Sequence, residues 1–166
     1  MSAARQRDPL TQTGWPALRG RLFHLLFLLK RPMTLGVRGM VLDREAGTVF
    51  LIRHTYVPGW QMPGGGIERG ETARESLERE LMEEGNIRLT GEPELRSFHF
   101  NPAGSGRDHI AFYLVTDFVQ ERPKRPDHEI AESGFFPIDR LPDGMTAATG
   151  RRIGEVVRGE AVSDRW

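Results

Sequence analysis

The chain has no cysteine among its 166 residues. That excludes a disulfide framework, a thiolate zinc site and a cysteine nucleophile. It also fits a reducing compartment, and a cytoplasmic location is expected. Net charge is missing too: 23 Lys and Arg stand against 23 Asp and Glu. No global field then draws the chain to nucleic acid or to an anionic membrane, so neither is expected as a partner. The apolar run Leu22–Leu29 ends at Lys30-Arg31, well short of the roughly 20 residues that a membrane span needs. Arg5, Arg7 and Asp8 come early and no small-residue cleavage site follows the run, which argues against a signal peptide. The length suits one ordinary domain.

Charge is present but unevenly spread. The first 44 residues carry Arg5, Arg7, Arg19, Arg21, Lys30, Arg31, Arg38 and Arg44 against Asp8 and Asp43, whereas Glu68 to Glu84 is strongly acidic. A basic arm and an acidic centre suit a site that holds a metal beside a phosphate. Two solvated surfaces are the plainer alternative.

Residues 1–14 read as a leader. Trp15 to Lys30 reads as a helix stopped by Pro32, apolar on more than one side and therefore in need of cover. It packs on its own domain, forms a homodimer contact or lies on a membrane surface. Met33–Leu42 and Thr48–His54 read as strands around the turn DREAG, because they are rich in apolar and β-branched residues. Pro58 to Gly66 is a Gly/Pro loop. Thr72 with Glu75 fits a capping box, so a helix begins there. It stops at Gly85-Asn86, the two residue types that best tolerate a left-handed cap. Strands follow at Leu95–Phe100 and His109–Phe118, separated by the loop NPAGSGRD. Glu121–Ser133 reads as a polar loop, Phe135–Ile138 as a short strand, and Thr146–Gly159 as a helix. The class is α+β with a mixed sheet.

The acidic helix raises the main question. At about 100° per residue, Glu83 and Glu84 lie about 60° and 40° to either side of Glu80. Like charges at this spacing cost roughly 0.2–0.5 kcal/mol per pair, and a divalent cation would repay that. Gly64-Gly65-Gly66 precedes the helix and lets the backbone approach a ligand with its carbonyls. Carboxylates plus a backbone carbonyl make a hard oxygen site, suited to Mg²⁺ with Mn²⁺ as a substitute. A solvated acidic face is the alternative for a Glu-rich helix taken alone.

The full spacing decides between them. Gly65, five residues, Glu71, seven residues, Arg79-Glu80-Leu81-Met82-Glu83-Glu84, then Asn86-Ile87 resembles the Nudix box, G-x5-E-x7-R-E-U-x-E-E-x-G-U, with U a bulky aliphatic residue. Asn86 stands where the family has Gly, and Asn tolerates positive φ. The approach Trp60-Gln61-Met62-Pro63-Gly64-Gly65-Gly66 is similar to the family's as well. The resemblance implies a Nudix-type α/β/α sandwich over residues 33–166, with 1–32 as leader and apolar helix. It implies metal ligands at Glu80, Glu83, Glu84 and the Gly64 carbonyl, with Gly65 and the Glu71–Arg79 pair structural. It implies a general base at Glu80 or at a later loop glutamate, where Glu129 is preferred to Glu132. The reaction implied is Mg²⁺-dependent hydrolysis of a diphosphate bond in a small nucleotide.

The substrate is less constrained. Ser97 to Ser105 loosely resembles the S-P-G-x-S segment of ADP-sugar pyrophosphatases, with Asn101 and Ala103 departing from it. Arg38, Arg53, Tyr56, Trp60 and Arg107 are candidate substrate contacts: the arginines for phosphate, with His54 as an alternative to Arg53 or else a structural residue, and the aromatic rings for a base. An ADP-ribose or nucleotide-sugar substrate is expected, with a nucleoside triphosphate as the alternative. A non-catalytic nucleotide-sugar-binding module is a second alternative, disfavoured by the intact carboxylate set. An isomerase of this fold that relies on cysteine is excluded.

Overall fold

The computed structural model describes residues 33–103 and 106–166. The helix expected at Trp15–Lys30, and the homodimer and membrane-surface readings that depend on it, lie outside those residues. So do Gly104 and Ser105 of the NPAGSGRD loop.

The described elements run β1 (Thr34–Asp43), β2 (Thr48–His54), β3 (Trp60–Gln61), α1 (Ala73–Gly85), β4 (Ile87–Leu89), β5 (Glu94–Asn101), β6 (Asp108–Val115), β7 (Phe118–Gln120), β8 (Ile130–Pro137) and α2 (Ala147–Val157). The main sheet has the order β3-β2-β1-β6-β5, with β8 also on β2. β1 and β6 run parallel while β1–β2, β2–β8 and β5–β6 run antiparallel, so the sheet is mixed, as expected. Alternation along the two buried strands assigns its faces. Val37 and Val41 of β1 and Phe50 and Ile52 of β2 pack with Leu77 and Leu81 of α1. Met40, Leu42, Val49 and Leu51 point the other way and pack with Ile153 of α2. One helix thus covers each face, the expected α/β/α sandwich.

One departure from regular pairing creates the site. β1 and β2 pair only beside their turn, at Leu42↔Val49 and Asp43↔Thr48. β2 then turns to β8 and β3, which leaves the first half of β1 without that neighbour. The Gly-rich loop takes the place: Val37 N–H donates to the Gly65 carbonyl, Gly39 N–H to Pro63, and Ile67 N–H to Leu35, each at 2.9 Å. Buried backbone groups must be paired, and this loop pairs those of β1. The loop is therefore held like a strand although its sequence reads as none.

α1 starts as expected. Thr72 accepts from Glu75 N–H and the Glu75 carboxylate accepts from Thr72 N–H. Its end is also as expected, with Asn86 at φ 52, ψ 34 and its N–H on the Leu81 and Met82 carbonyls. Three short strands escape sequence reading: β3, β4 and β7. β4 and β7 pair only with each other, over three residues each, too short to show a period. Two boundaries are corrected. The strand expected to run to Phe118 ends at Val115. β8 begins at Ile130 rather than Phe135, because edge pairing to β2 recruits the polar Glu132 and Ser133.

Asn86 is the one non-glycine residue with positive φ among those described. A β-branched side chain there takes on the full left-handed strain of about 1–2 kcal/mol. We predict that Asn86→Val lowers the thermal midpoint by roughly 3–8 °C, while Asn86→Gly leaves it nearly unchanged. Thermal unfolding followed by circular dichroism distinguishes the two; equal midpoints would mean that this cap is not strained.

Candidate active site

α1 brings the box carboxylates to the loop that β1 has captured, and Arg79 joins the two. Its Nε and Nη2 donate to both oxygens of Glu71 at 2.8 and 3.1 Å, and Nη2 also reaches the Gly66 carbonyl at 3.2 Å. Nη1 donates to Glu80 at 2.8 Å and to Glu83 at 3.2 Å. The forked contact holds the Glu71 carboxyl at about 2, well below its usual range, mainly through the Arg79 hydrogen bonds. Glu71 precedes the N-cap Thr72, and the turn it forms with Glu68 folds its carboxylate back along α1 to Arg79.

The three helix carboxylates occupy different surroundings. Glu83 is largely exposed, at 59 % of its side chain. Glu80 lies against the loop, and burial raises its pKa although Arg79 opposes the shift. Glu84 is buried, with 3 % exposure. Its Oε2 accepts from Gly64 N–H at 2.6 Å. Burial pushes its carboxyl up to about 8, with Arg38 and that N–H working against the rise. A carboxylate this desolvated, with one short donor and no ion pair to a permanent cation, is an incomplete charge balance.

The loop geometry explains two glycines. Gly64 has φ 137, and a Cβ there would stand 2.2 Å from the Val37 carbonyl oxygen. A Cβ on Gly65 would stand 2.4 Å from Glu80 Oε1. The loop carbonyls are also informative. Those of Met62, Pro63, Gly65 and Gly66 all accept hydrogen bonds, whereas the Gly64 carbonyl has no partner among the described hydrogen bonds. It is therefore free to serve as the oxygen ligand expected of it.

The end of β2 and the start of β8 close the site from the other side. Asp127 Oδ1 accepts from the N–H groups of Glu129 and Ile130 at 2.9 and 2.8 Å, and those bonds hold its carboxyl well below the usual range. Thr55 N–H donates to the Glu129 carbonyl at 2.9 Å. Tyr56 Oη donates to Glu129 Oε1 at 3.0 Å. A bulge in the β2–β8 register falls between Arg53 and His54, and it leaves His54 only 8 % exposed. One ligating atom each from His54, Glu84 and Glu129 lies within 4.8 Å of the others. Burial and the nearby Arg38 lower the His54 pKa.

The structure thus brings together Gly64, Gly65, Glu71, Arg79, Glu80, Glu83, Glu84 and Glu129. Arg38 joins them from β1, donating to the Met62 carbonyl at 3.0 Å. Tyr56 does so through Glu129, with its ring 66 % exposed. Glu132 does not: it is exposed and paired with Arg53 at 2.7 Å. Trp60 is corrected. It is 8 % exposed and edge-on to Phe136, with ring centroids 4.7 Å apart, so it belongs to the core under α2 and is not a free stacking surface. Arg107 lies exposed before β6, its carbonyl on Thr34 N–H, and takes no part in the contacts described above. The site residue that sequence reasoning missed is Asp127; His54 was considered there as a phosphate contact, not as a neighbour of Glu84 and Glu129. A strand-end histidine beside a bulge carries no periodic signal. D-x-E-I carried only an Asx-turn pattern.

The hard donors of Glu80, Glu83, Glu84 and the Gly64 carbonyl fit a divalent cation, with Glu129 beside them. Gly65→Ala should displace Glu80 and weaken Mg²⁺ binding by about tenfold or more. Isothermal titration with Mg²⁺ measures this; unchanged affinity would remove Glu80 from the ligand set.

Comparison with known proteins places this arrangement. The NUDIX domain family matches residues 33–155. A Mycobacterium tuberculosis protein named as a mutator protein, MutT4, is 33 % identical over 129 residues, covering 71 % of this chain and 52 % of the relative. An RNA pyrophosphohydrolase of Cereibacter sphaeroides is 46 % identical over 61 residues, 34 % of this chain and 38 % of the relative. This chain thus spans about half or less of these curated relatives. Among solved structures, a MutT Nudix hydrolase from Burkholderia pseudomallei superposes with a TM-score of 0.63 at 25 % identity, covering 75 % of this chain and 98 % of that one. An ADP-ribose pyrophosphatase from Streptococcus suis shares the fold at a TM-score of 0.55 and 21 % identity, covering 80 % and 97 %. The matched span contains the whole loop and helix that carry Gly65, Glu71, Arg79, Glu80, Glu83 and Glu84, and the chain belongs to the Nudix family.

Proposed function

We propose that this domain hydrolyses the diphosphate bond of a nucleoside diphosphate joined to a further group, with Mg²⁺ as cofactor and Mn²⁺ as a substitute. The observation that carries the reading is the buried, undercompensated Glu84, set with Glu80 and the unpartnered Gly64 carbonyl opposite Glu129. Glu80, Glu83, Glu84 and the Gly64 carbonyl would hold the cation. When bound, it neutralises the diphosphate and lowers the pKa of a water.

The chain's own groups account for the rest. Arg38 places a fixed positive charge beside Glu84 and faces the phosphates. Glu129 has Oε1 on Tyr56, which leaves Oε2 to take the proton of the attacking water. Water oxygen bonds to phosphorus, the bridging P–O bond breaks, and the leaving phosphate keeps that electron pair. Glu80, tied to Arg79, is the alternative base.

An open cleft of about 480 Å³ adjoins this point, lined by Arg53, His54, Thr55, Tyr56, Val57, Pro58, Gly59 and Ala131. It offers the exposed Tyr56 ring and the Arg53 guanidinium to a base or a sugar, and this favours a substrate of the ADP-ribose or nucleotide-sugar type. A second reading is a nucleoside triphosphate substrate. The relative named as a mutator protein, MutT4, favours it. The partner proposed is a small nucleotide in the cytoplasm, and the relatives named as RNA pyrophosphohydrolases make RNA an outcome of the test.

The test is a Mg²⁺-dependent panel of ADP-ribose, other nucleotide sugars, nucleoside triphosphates, dinucleoside polyphosphates and 5′-triphosphorylated RNA, with products identified. AMP plus a sugar phosphate is the expected result; a nucleoside monophosphate plus pyrophosphate would replace it with the triphosphate reading. Glu84→Gln should lower kcat by about 10²–10³-fold with the far-ultraviolet spectrum unchanged. A variant as fast as the parent would remove Glu84 from the site.

A further inference from the structure

His54 is a buried side chain whose ring nitrogens make no hydrogen bond of normal geometry among the described residues, although the Glu129 backbone lies near the ring. Its side chain is 5 % exposed. Nδ1 has no partner among the described residues. Nε2 faces Glu84 Oε1 at 3.5 Å, longer than the roughly 2.7–3.2 Å of an N–H···O bond. Buried polar atoms are paired as a rule, and it is Nε2, turned to Glu84 without reaching it, that has room for a partner between them.

The spacing indicates what the partner is. Two ligand atoms each about 2.1 Å from one ion, at octahedral or tetrahedral angles, stand roughly 3.0–3.4 Å apart. The Nε2–Oε1 separation is close to that range. Glu84 is also the right neighbour. Its Oε2 is used by Gly64 N–H, and Oε1 is the oxygen that turns to His54. Glu129 supplies a third atom within 4.8 Å.

The groups are fixed from outside the cluster. Thr55 N–H binds the Glu129 carbonyl, and Thr55 Oγ donates to the His128 carbonyl at 2.8 Å. The end of β2 and the loop that carries Glu129 are thereby clamped together, one residue from His54. The Tyr56 ring lies 5.1 Å from the His54 ring, centroid to centroid, while its hydroxyl holds Glu129. These contacts limit drift of the imidazole away from the carboxylates.

We infer that His54 is a nitrogen ligand of the cation at this site, joining Glu84, so that the site prefers Mn²⁺ or Co²⁺ to Mg²⁺. An imidazole donor strengthens binding along the transition series, whereas Mg²⁺ favours oxygen. The inference rests on the proposed cation site and adds to it a ligand and a preference among ions.

Pulsed electron paramagnetic resonance of the full chain with Mn²⁺ tests it directly. The parent protein should show ¹⁴N modulation from a coordinated imidazole, and His54→Gln should abolish it. The same substitution should weaken Mn²⁺ by about 10–100-fold and Mg²⁺ by much less. Bound Mn²⁺ without ¹⁴N modulation in the parent overturns the inference and leaves the carboxylate site standing. Modulation that persists in His54→Gln overturns it as well. No Mn²⁺ binding at millimolar concentration overturns the cation site itself, and the inference with it. The parent spectrum decides even if the variant fails to fold.

Discussion

Arg79 is the counter-charge on which the acidic loop and helix depend. A helix that carries Glu80, Glu83 and Glu84, with Glu71 returning from the loop, would repel itself without a cation inside the cluster. Arg79 meets Glu71, Glu80 and Glu83 with one guanidinium, and its planar fork is the only side chain able to do so. The bond to the Gly66 carbonyl adds a mechanical role. It pins the loop to the helix, so the position of Gly64 and Gly65 follows from that of α1. The contacts are partly exposed, at 26 % of the Arg79 side chain, and their value is geometric more than energetic.

Glu84 stands outside this arrangement. Arg79 makes no hydrogen bond to it among the described residues, and its surroundings are the Gly64 N–H, His54 and the charge of Arg38. The helix therefore divides its carboxylates into a satisfied group and an unsatisfied one. The splay between β1 and β2 produces that division. Had the two strands paired along their whole length, no loop would enter beside Val37 and Glu84 would have met a closed sheet. The gap, the glycines that fill it and the buried carboxylate are consequences of one topological choice.

Much of this was legible beforehand because it depends on local spacing. The capping box at Thr72 and the left-handed end at Asn86 follow from offsets along a helix, and the Glu71–Arg79 pair was expected from the spacing of the box. The α/β/α class followed from the order of strands and helices together with the box. What stayed hidden depends on contacts distant in sequence. β4 and β7 exist only because Ile87–Leu89 meets Phe118–Gln120, and β8 extends into polar sequence because β2 is there to pair with it. Trp60 looked like a stacking surface since nothing in its neighbourhood revealed Phe136. Tertiary packing, not propensity, decided each of these.

Burial of a charged or titratable group is not by itself a mark of function, and the second half of the molecule shows why. His99 is as buried as His54, yet both its nitrogens are engaged, Nε2 with Ser97 Oγ at 2.6 Å and Nδ1 with the Ser163 carbonyl at 2.8 Å. Glu155 is buried like Glu84, yet its Oε1 accepts from Arg152 at 2.5 Å and from Ser163 N–H at 3.0 Å. That network fastens the segment after α2 to β5, and although Arg152 Nε has no partner among the described residues, its other nitrogens are spent on His99 and Glu155. His109 also leaves Nδ1 without a partner, but its ring stacks on Phe98 and it belongs to no cluster of ligating groups. The described residues gather only one group of three ligating side chains, His54, Glu84 and Glu129. The distinguishing property is a set of converging donors that the protein leaves unpaired, since folding alone gives no reason to keep it so.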